Sequence, residues 1–208
     1  APLTSMGVPL QSNAGFAPLA FSRPAYPLSP IQCTLPVASA QVKTCLLLAS
    51  LVAGGPSTLI EPGPSRDHTE RLLRHQGFDI TTETLGENSH RQYKTCITPP
   101  RPLIFTPINM RLPGDISSAA FLMVAALIIP GSEITIRNVG LNPTRTGLLD
   151  ALLAMEADIH ILSPHTCHGE PVGDLLIRHS RLKATCIHGD QVVRMIDEFP
   201  AFAAAAAF

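Results

Sequence analysis

The sequence contains no tryptophan, and only 5% of its 208 residues are aromatic. Proteins that bind single-stranded nucleic acid stack the bases on aromatic side chains, so this class is disfavoured. The formal net charge is −1 and the pI is about 6.8, so no excess of basic residues attracts a phosphate backbone or an anionic membrane surface. The composition therefore predicts a protein whose partners include neither nucleic acid nor membrane.

Cysteine is scarce, and its spacing suits neither a disulfide framework nor a zinc site. The five cysteines are widely separated and form no CxxC pair. Three histidines and a cysteine in segment 160–168 match no standard zinc spacing. We therefore expect reduced thiols, a cytoplasmic protein and no bound metal.

Long apolar runs and the common nucleotide motifs are also missing. The longest apolar run, 119–130, is well short of the roughly 20 residues that a helix needs to cross a bilayer. No signal peptide, P-loop, Rossmann glycine pattern or GxSxG elbow is present. The closing stretch FPAFAAAAAF predicts a helix without a glycine, asparagine or basic last turn, so we expect an internal fragment of a longer protein.

The sequence contains an internal repeat. Leu112-Pro113 follows Leu35-Pro36 at an offset of 77 residues, and both pairs begin the same series of patterns. Each copy predicts the same order of elements. An apolar helix begins with small polar residues and is followed by a glycine turn, a strand, a proline loop, an amphipathic helix and another strand. Partial copies flank these at both ends of the chain. The sequence thus predicts two full units and two partial ones.

The helices of the repeat are of two kinds. Segments 66–75 and 145–155 have polar faces and suit the surface. Segments 42–52 and 119–129 are apolar nearly all round, which predicts burial on all sides. The expected architecture is therefore an inside-out α/β fold, with apolar helices inside and strands and amphipathic helices outside.

The start of the second copy predicts a domain boundary. Segment 109–115 is the natural connection, so residues 1–109 are expected to be part of a first globular domain and 110–208 part of a second.

Polar residues at the head of an apolar helix suggest an anion site. Ser39, Ala40 and Gln41 begin such a helix, where free backbone N–H groups and the positive dipole end attract phosphate or carboxylate. Simple capping by itself accounts for Ser39. Gln41 favours a ligand, since a buried glutamine needs a partner. Lys43 is either a surface lysine or a ligand contact.

Two more charged residues stand at helix heads. Arg66 is a cation at the positive end of a helix. In one interpretation it is paired with a nearby carboxylate or solvated. In the other it binds a phosphate or carboxylate ligand through two hydrogen bonds. Ser65 is expected to cap that helix. Asp197, at the head of the third apolar helix, is either a cap or a carboxylate that moves a proton. Its register with Ser39 and 117–118 predicts three similarly placed helix heads.

Three stretches carry a family resemblance. The segment LPVASAQVKTCLLLASLVAGGPSTLIEPGPSRDHTERLLRHQG, together with segments 112–155 and 170–208, resembles the 3-phosphoshikimate 1-carboxyvinyltransferase family over nearly the whole chain. The pair Ser-Ala-Gln-Val-Lys and Arg-Asp-His-Thr-Glu is specific to that family. The related UDP-N-acetylglucosamine enolpyruvyl transferases share the fold but lack the pair.

The resemblance implies a fold, a reaction and a compartment. The fold has two globular domains of three βαβαββ units each, with ligands bound between the domains. The reaction is a step of the shikimate pathway to chorismate and the aromatic amino acids. It transfers the enolpyruvyl group of phosphoenolpyruvate to the 5-hydroxyl of shikimate 3-phosphate and releases phosphate. The family needs no cofactor, and a cytoplasmic protein that is monomeric at full length is expected.

The resemblance also implies roles for single residues. Ser39, Ala40 and Gln41 would bind shikimate 3-phosphate, with Gln41 also near phosphoenolpyruvate. Arg66 would contact the phosphorylated substrate. Asp197 would hold the shikimate ring and accept the proton of the 5-hydroxyl as the catalytic base.

The chain departs from the family pattern in several places. The N-terminal lysine motif, the Gly-Thr-x-Arg segment and the later lysine, glutamate and arginine that bind phosphoenolpyruvate are absent from 1–208. Glu156 stands where the family usually has glycine. We therefore expect little activity from these residues alone. The alternatives are a UDP-N-acetylglucosamine enolpyruvyl transferase and a non-catalytic relic of the fold.

Overall fold

The computed structural model of the chain describes residues 2–86 and 91–208. The chain divides into two compact units, a first unit Ala1–Pro107 and a second unit Ile108–Phe208. None of the helices in the described ranges is long and apolar enough to span a membrane.

The first unit begins with a short helix and a hairpin, followed by one complete repeat. Its elements are α1 Pro2–Ser5, β1 Leu10–Asn13, β2 Phe16–Phe21, β3 Gln32–Thr34, α2 Ala40–Ser50, β4 Ser57–Glu61, α3 His68–His75, β5 Asp79–Leu85 and β6 Gln92–Thr98. Strand β3 runs parallel to β4, and β6 lies antiparallel between β4 and β5. The sheet order is therefore β3-β4-β6-β5.

The second unit repeats this plan and adds a C-terminal helical segment. Its elements are α4 Ile116–Ile128, β7 Glu133–Gly140, α5 Gly147–Ala154, β8 Asp158–Cys167, β9 Glu170–Arg178, α6 Asp190–Arg194, a 3₁₀ turn Ile196–Glu198 and α7 Phe199–Ala206. Its sheet has the order β7-β9-β8, and a parallel bridge between Gly114 and Val139 takes the place of β3. The predicted α/β fold of repeated βαβαββ units is confirmed.

Each apolar helix packs one face on the sheet of its own unit. In the first unit Leu46 and Leu47 of α2 are buried with Leu59 of β4. In the second, Met123 and Leu127 of α4 belong to the core that includes both sheet and helix residues. Burying such a side chain contributes about 2 kcal/mol, so these faces stabilise each unit.

The opposite faces of both helices are exposed, so the expected burial on all sides is wrong for the described structure. Val42 and Leu48 of α2 are 41% and 49% exposed, and Phe121 and Leu122 of α4 are 62% and 57% exposed. One sheet and its neighbouring segments cover only part of the circumference of a helix. The apolar composition indicates what these helices can bury, and each unit by itself covers one face of its helix.

The two amphipathic helices begin two residues later than predicted. Helix α3 starts at His68 and α5 at Gly147, so Arg66 and Arg145 lie in the loops before them. The prolines of these loops, Pro64 and Pro143, precede those arginines by two residues in both copies. The two loops are therefore equivalent positions of the repeat.

The repeat also extends to the way these helices end. Phe78 N–H donates to the Leu73 carbonyl at 3.0 Å, and Ala157 N–H to the Leu152 carbonyl at 3.0 Å. This closing pattern requires a left-handed residue just before the donor. In α3 that residue is Gly77, with φ +84°. In α5 it is Glu156, with φ +63°.

Candidate functional site

The head of α2 is capped as the sequence predicts. Ser39 has an extended backbone, and its Oγ accepts a hydrogen bond from the backbone N–H of Val42 at 3.4 Å. Gln41 is exposed rather than buried. The argument that Gln41 needs a ligand because it is buried is therefore wrong. Its side chain is exposed to solvent at the N-terminal, positive end of the helix.

Arg66 lies half-buried in the loop between β4 and α3. The neighbouring Ser65 does not cap α3, contrary to expectation, because its hydroxyl donates instead to Glu61 Oε2 at 2.9 Å. Asp67 occupies the N-cap position without a capping hydrogen bond from its side chain, which accepts from Arg71 Nε at 2.9 Å. The loop is thus held to the end of β4 through Ser65 and to α3 through Asp67.

Glu61 connects the helix head to the arginine loop. It is the last residue of β4, and only 1% of it is exposed. Its Oε1 accepts the backbone N–H of Ser39 at 3.0 Å, while Oε2 accepts the Ser65 hydroxyl. One buried carboxylate therefore brings together two segments that the sequence assigned to substrate binding.

Lys43 completes a buried charge cluster beneath this site. Its Nζ lies 3.0 Å from Glu61 Oε2 and 2.7 Å from Glu70 Oε1, and Lys43 is 4% exposed. The expectation of a surface lysine is wrong, because the position of Lys43 one turn after Ser39 directs it toward β4 and α3. Its role as a ligand contact stays a prediction. Burial raises the pKa of the Glu70 carboxyl above its usual value of 4.5, and the attraction to Lys43 offsets only part of this.

Asp197 in the second unit is not a helix cap. It lies in the 3₁₀ turn before α7, and its Oδ2 accepts a hydrogen bond from Arg145 Nη1 at 3.0 Å. Its side chain is 48% exposed. The carboxylate is thus accessible from solvent and oriented by a cation.

Arg145 links Asp197 to the head of α4. It is within 3.5 Å of Asp115 Oδ1 and 3.7 Å of Glu198 Oε1, and it also donates to the Ser117 hydroxyl. Asp115 caps α4 by accepting from the backbone N–H of Ser118 at 2.9 Å. Burial alone would raise the pKa of Asp115, but hydrogen bonds from the α4 head and the charge of Arg145 lower it below its usual value.

The structure brings some of the predicted positions together within one unit. Asp197 and Ser117 meet around Arg145 in the second unit. Ser39 belongs to the first unit, so the register of three helix heads stays a prediction. Sequence reasoning missed Arg145 and Glu61. Alignment of the two Pro-Ser/Thr-Arg loops could have revealed Arg145, since it matches Arg66.

The histidine-rich segment forms strand β8 and its hairpin with β9. His160 Nε2 lies 2.7 Å from Asp158 Oδ1 on the same strand. Within residues 2–86 and 91–208, no group of three or more histidine, cysteine, aspartate or glutamate side chains is arranged to hold a metal ion. All five cysteines are free thiols.

The fold is an α/β fold of repeated βαβαββ units, the fold class of the enolpyruvyl transferases. The family model of EPSP synthase (3-phosphoshikimate 1-carboxyvinyltransferase) matches residues 1–208. The chain belongs to the EPSP synthase family.

Individual relatives agree with this family. The 3-phosphoshikimate 1-carboxyvinyltransferase of Prochlorococcus marinus is 48% identical over 100% of the chain, and that of Geobacter sulfurreducens is 47% identical over 99%. The chain spans 45% and 46% of their lengths. A solved EPSP synthase structure from Acinetobacter baumannii matches 99% of the chain and 44% of its own, with a TM-score of 0.87 and 41% identity.

Proposed function

We propose that this chain contributes to a 3-phosphoshikimate 1-carboxyvinyltransferase, which transfers the enolpyruvyl group of phosphoenolpyruvate to the 5-hydroxyl of shikimate 3-phosphate and releases phosphate. The observation that carries the proposal is the junction at Glu61, where the α2 head and the Arg66 loop meet at the end of β4. Family membership supports the choice of substrates.

The first unit would bind the phosphorylated substrate. Ser39, Ala40 and Gln41 place backbone N–H groups, a hydroxyl and an amide at the positive end of α2, which favours an anion. Arg66 adds a guanidinium that can bind a phosphate through two parallel hydrogen bonds. Gln41 would also lie near phosphoenolpyruvate.

The second unit would supply the base. Asp197 is half-exposed, and Arg145 fixes one of its oxygens. An oriented carboxylate can hold the ring and take the proton of the 5-hydroxyl as the new C–O bond forms. The reaction needs no cofactor.

We further propose that the two units are parts of the two globular domains of the family, 1–109 and 110–208, in a cytoplasmic protein that is monomeric at full length.

The test compares substrates in the full-length protein that carries residues 1–208. Phosphoenolpyruvate and shikimate 3-phosphate together should release phosphate and yield the enolpyruvyl product. Phosphoenolpyruvate with UDP-N-acetylglucosamine should give neither. Turnover of the UDP-sugar alone would reassign the protein to the related enzyme, and no turnover of either pair would favour a non-catalytic relic. Residues 1–208 expressed alone should show little turnover, because several family motifs are absent from them.

A further inference from the structure

We propose that Glu61 is a positioning residue that sets the spacing between the anion-binding head of α2 and Arg66. The inference rests on the proposed function and deepens it, because Glu61 itself would touch no substrate. It would act through Ser39 and Ser65, the residues at the edges of the two binding segments.

The geometry gives Glu61 contacts with both segments. Oε1 holds the backbone N–H of Ser39 at 3.0 Å, so it fixes where α2 begins. Oε2 holds the hydroxyl of Ser65 at 2.9 Å, and Ser65 is bonded directly to Arg66. The carboxyl group of Glu61 thus fixes the positions of both the α2 head and the loop that carries Arg66.

The charge around Glu61 makes this connection stiff. Hydrogen bonds to an ionised acceptor are stronger than those between neutral groups, especially away from water. Lys43 lies 3.0 Å from Oε2 and provides the opposite charge that a buried carboxylate requires. Because Lys43 also contacts Glu70 of α3, the carboxyl group of Glu61 cannot turn without disturbing two helices.

The second unit indicates that the fold itself does not require such a carboxylate. There the equivalent loop is closed by Asn142, whose Oδ1 accepts from the backbone N–H and the hydroxyl of Thr144 at 2.8 and 2.7 Å. The strand before it ends in Gly140, which carries no side chain to reach the α4 head. Asn142 Nδ2 also donates to Glu170 Oε2 at 3.0 Å, and Arg145 of this loop donates to Ser117 at the α4 head. The second unit therefore connects the same two segments without a carboxylate at the end of the strand, and the bridge through Glu61 is particular to the copy that carries Arg66.

The experiment measures shikimate 3-phosphate binding to the full-length protein by isothermal titration calorimetry, which reports affinity and the binding-competent fraction separately. Glu61→Gln keeps the shape and one carbonyl acceptor but removes the charge that serves Ser65 and Lys43. We expect its Kd to rise about tenfold, the scale of one lost charge-assisted hydrogen bond, with unchanged stoichiometry. Ser65→Ala, which removes only the loop contact, should raise the Kd about threefold.

The matched control is Glu70→Gln. It also removes a buried carboxylate from Lys43, but it contacts neither Ser39 nor Ser65. Its Kd should rise clearly less than that of Glu61→Gln, because Ser39, Ser65 and Lys43 all keep their contacts with Glu61.

Three outcomes would overturn the inference. The first is a Glu61→Gln protein with wild-type Kd. The second, decisive if Glu61→Gln fails to fold, is a Ser65→Ala protein with wild-type Kd. The third is an equal rise in Kd for Glu70→Gln, which would indicate a general core effect. Failure of the wild-type protein to bind shikimate 3-phosphate is a separate result that rejects the proposed function and, with it, this inference.

Discussion

At the scale of single residues, two buried carboxyl groups of the first unit share one ammonium. Lys43 Nζ lies 3.0 Å from Glu61 Oε2 and 2.7 Å from Glu70 Oε1. Glu70 has the raised pKa, so its ionised form is less favourable in the folded protein than in the unfolded chain. The ion pair with Lys43 therefore does not fully offset the cost of burying this carboxyl group.

The raised pKa of Glu70 predicts a pH-dependent effect of Glu70→Gln. Below the unfolded value of 4.5 the carboxyl is protonated in both states, so its burial costs no ionisation energy. The cost appears as the pH rises from 4.5 through the raised folded pKa and is complete above it. Glu70→Gln should therefore gain stability relative to wild type between pH 4.5 and 7.5. Urea unfolding at both pH values measures this, and a pH-independent difference would contradict it.

Arg145 holds the carboxyl cluster of the second unit together. Arg145→Met leaves Asp115, Asp197 and the buried Glu198 without their shared cation, so it should lower the free energy of unfolding by about 3 kcal/mol. Guanidinium denaturation measures the loss.

The control for Arg145 is Arg178→Met. Arg178 contacts Glu133 at 2.6 Å, but its side chain is 41% exposed, so water can replace that contact. A loss for Arg178→Met as large as that for Arg145→Met would argue that burial of the cluster does not matter.

At the scale of elements, the two copies of the amphipathic helix end in the same left-handed conformation with different residues. A side chain makes this conformation unfavourable by about 1 kcal/mol or more, whereas glycine adopts it freely. Gly77 adopts it without this cost in α3, whereas Glu156 adopts it with the cost of a side chain in α5.

Glu156→Gly should therefore stabilise the second unit by about 0.5–1 kcal/mol. The ion pair with Lys183 that is lost has both side chains more than half exposed, so it offsets little. The reverse control, Gly77→Ala, should destabilise the first unit by a similar amount, since a Cβ there meets no atom within 4 Å and only the backbone conformation opposes it. Differential scanning calorimetry compares the variants. Stabilisation by both substitutions would contradict the argument.

Helix boundaries show where sequence patterns are reliable. The apolar helix at 40–50 and its Ser39 cap follow from local composition, and the structure has both. The starts of α3 and α5 were predicted two residues early because arginine is a good helix former. Tertiary contacts override that preference. Ser65 is bound to β4, and Arg145 is bound to carboxylates far along the chain.

At the scale of the whole molecule, the proposed reaction needs groups from both units. Asp197→Ala should lower kcat for enolpyruvyl transfer by about a hundredfold or more in the full-length protein, because a general base contributes on that order. Binding of phosphoenolpyruvate should change little. Asp79→Ala, which removes an exposed carboxylate on β5, serves as the control. Retention of the wild-type rate by Asp197→Ala would exclude Asp197 as the base.

The sequence by itself determined the repeat, the order of helices and strands in each copy, the capped head at Ser39 and the family. These follow from patterns within one copy, such as periodicity, capping residues and glycine or proline turns. Tertiary structure alone decided that Lys43 is buried between Glu61 and Glu70, that Asp197 is bound by Arg145, and that one face of each apolar helix stays exposed. These contacts join residues 18 to 52 positions apart. Their partners are selected by how strands and loops come together, which no local pattern encodes.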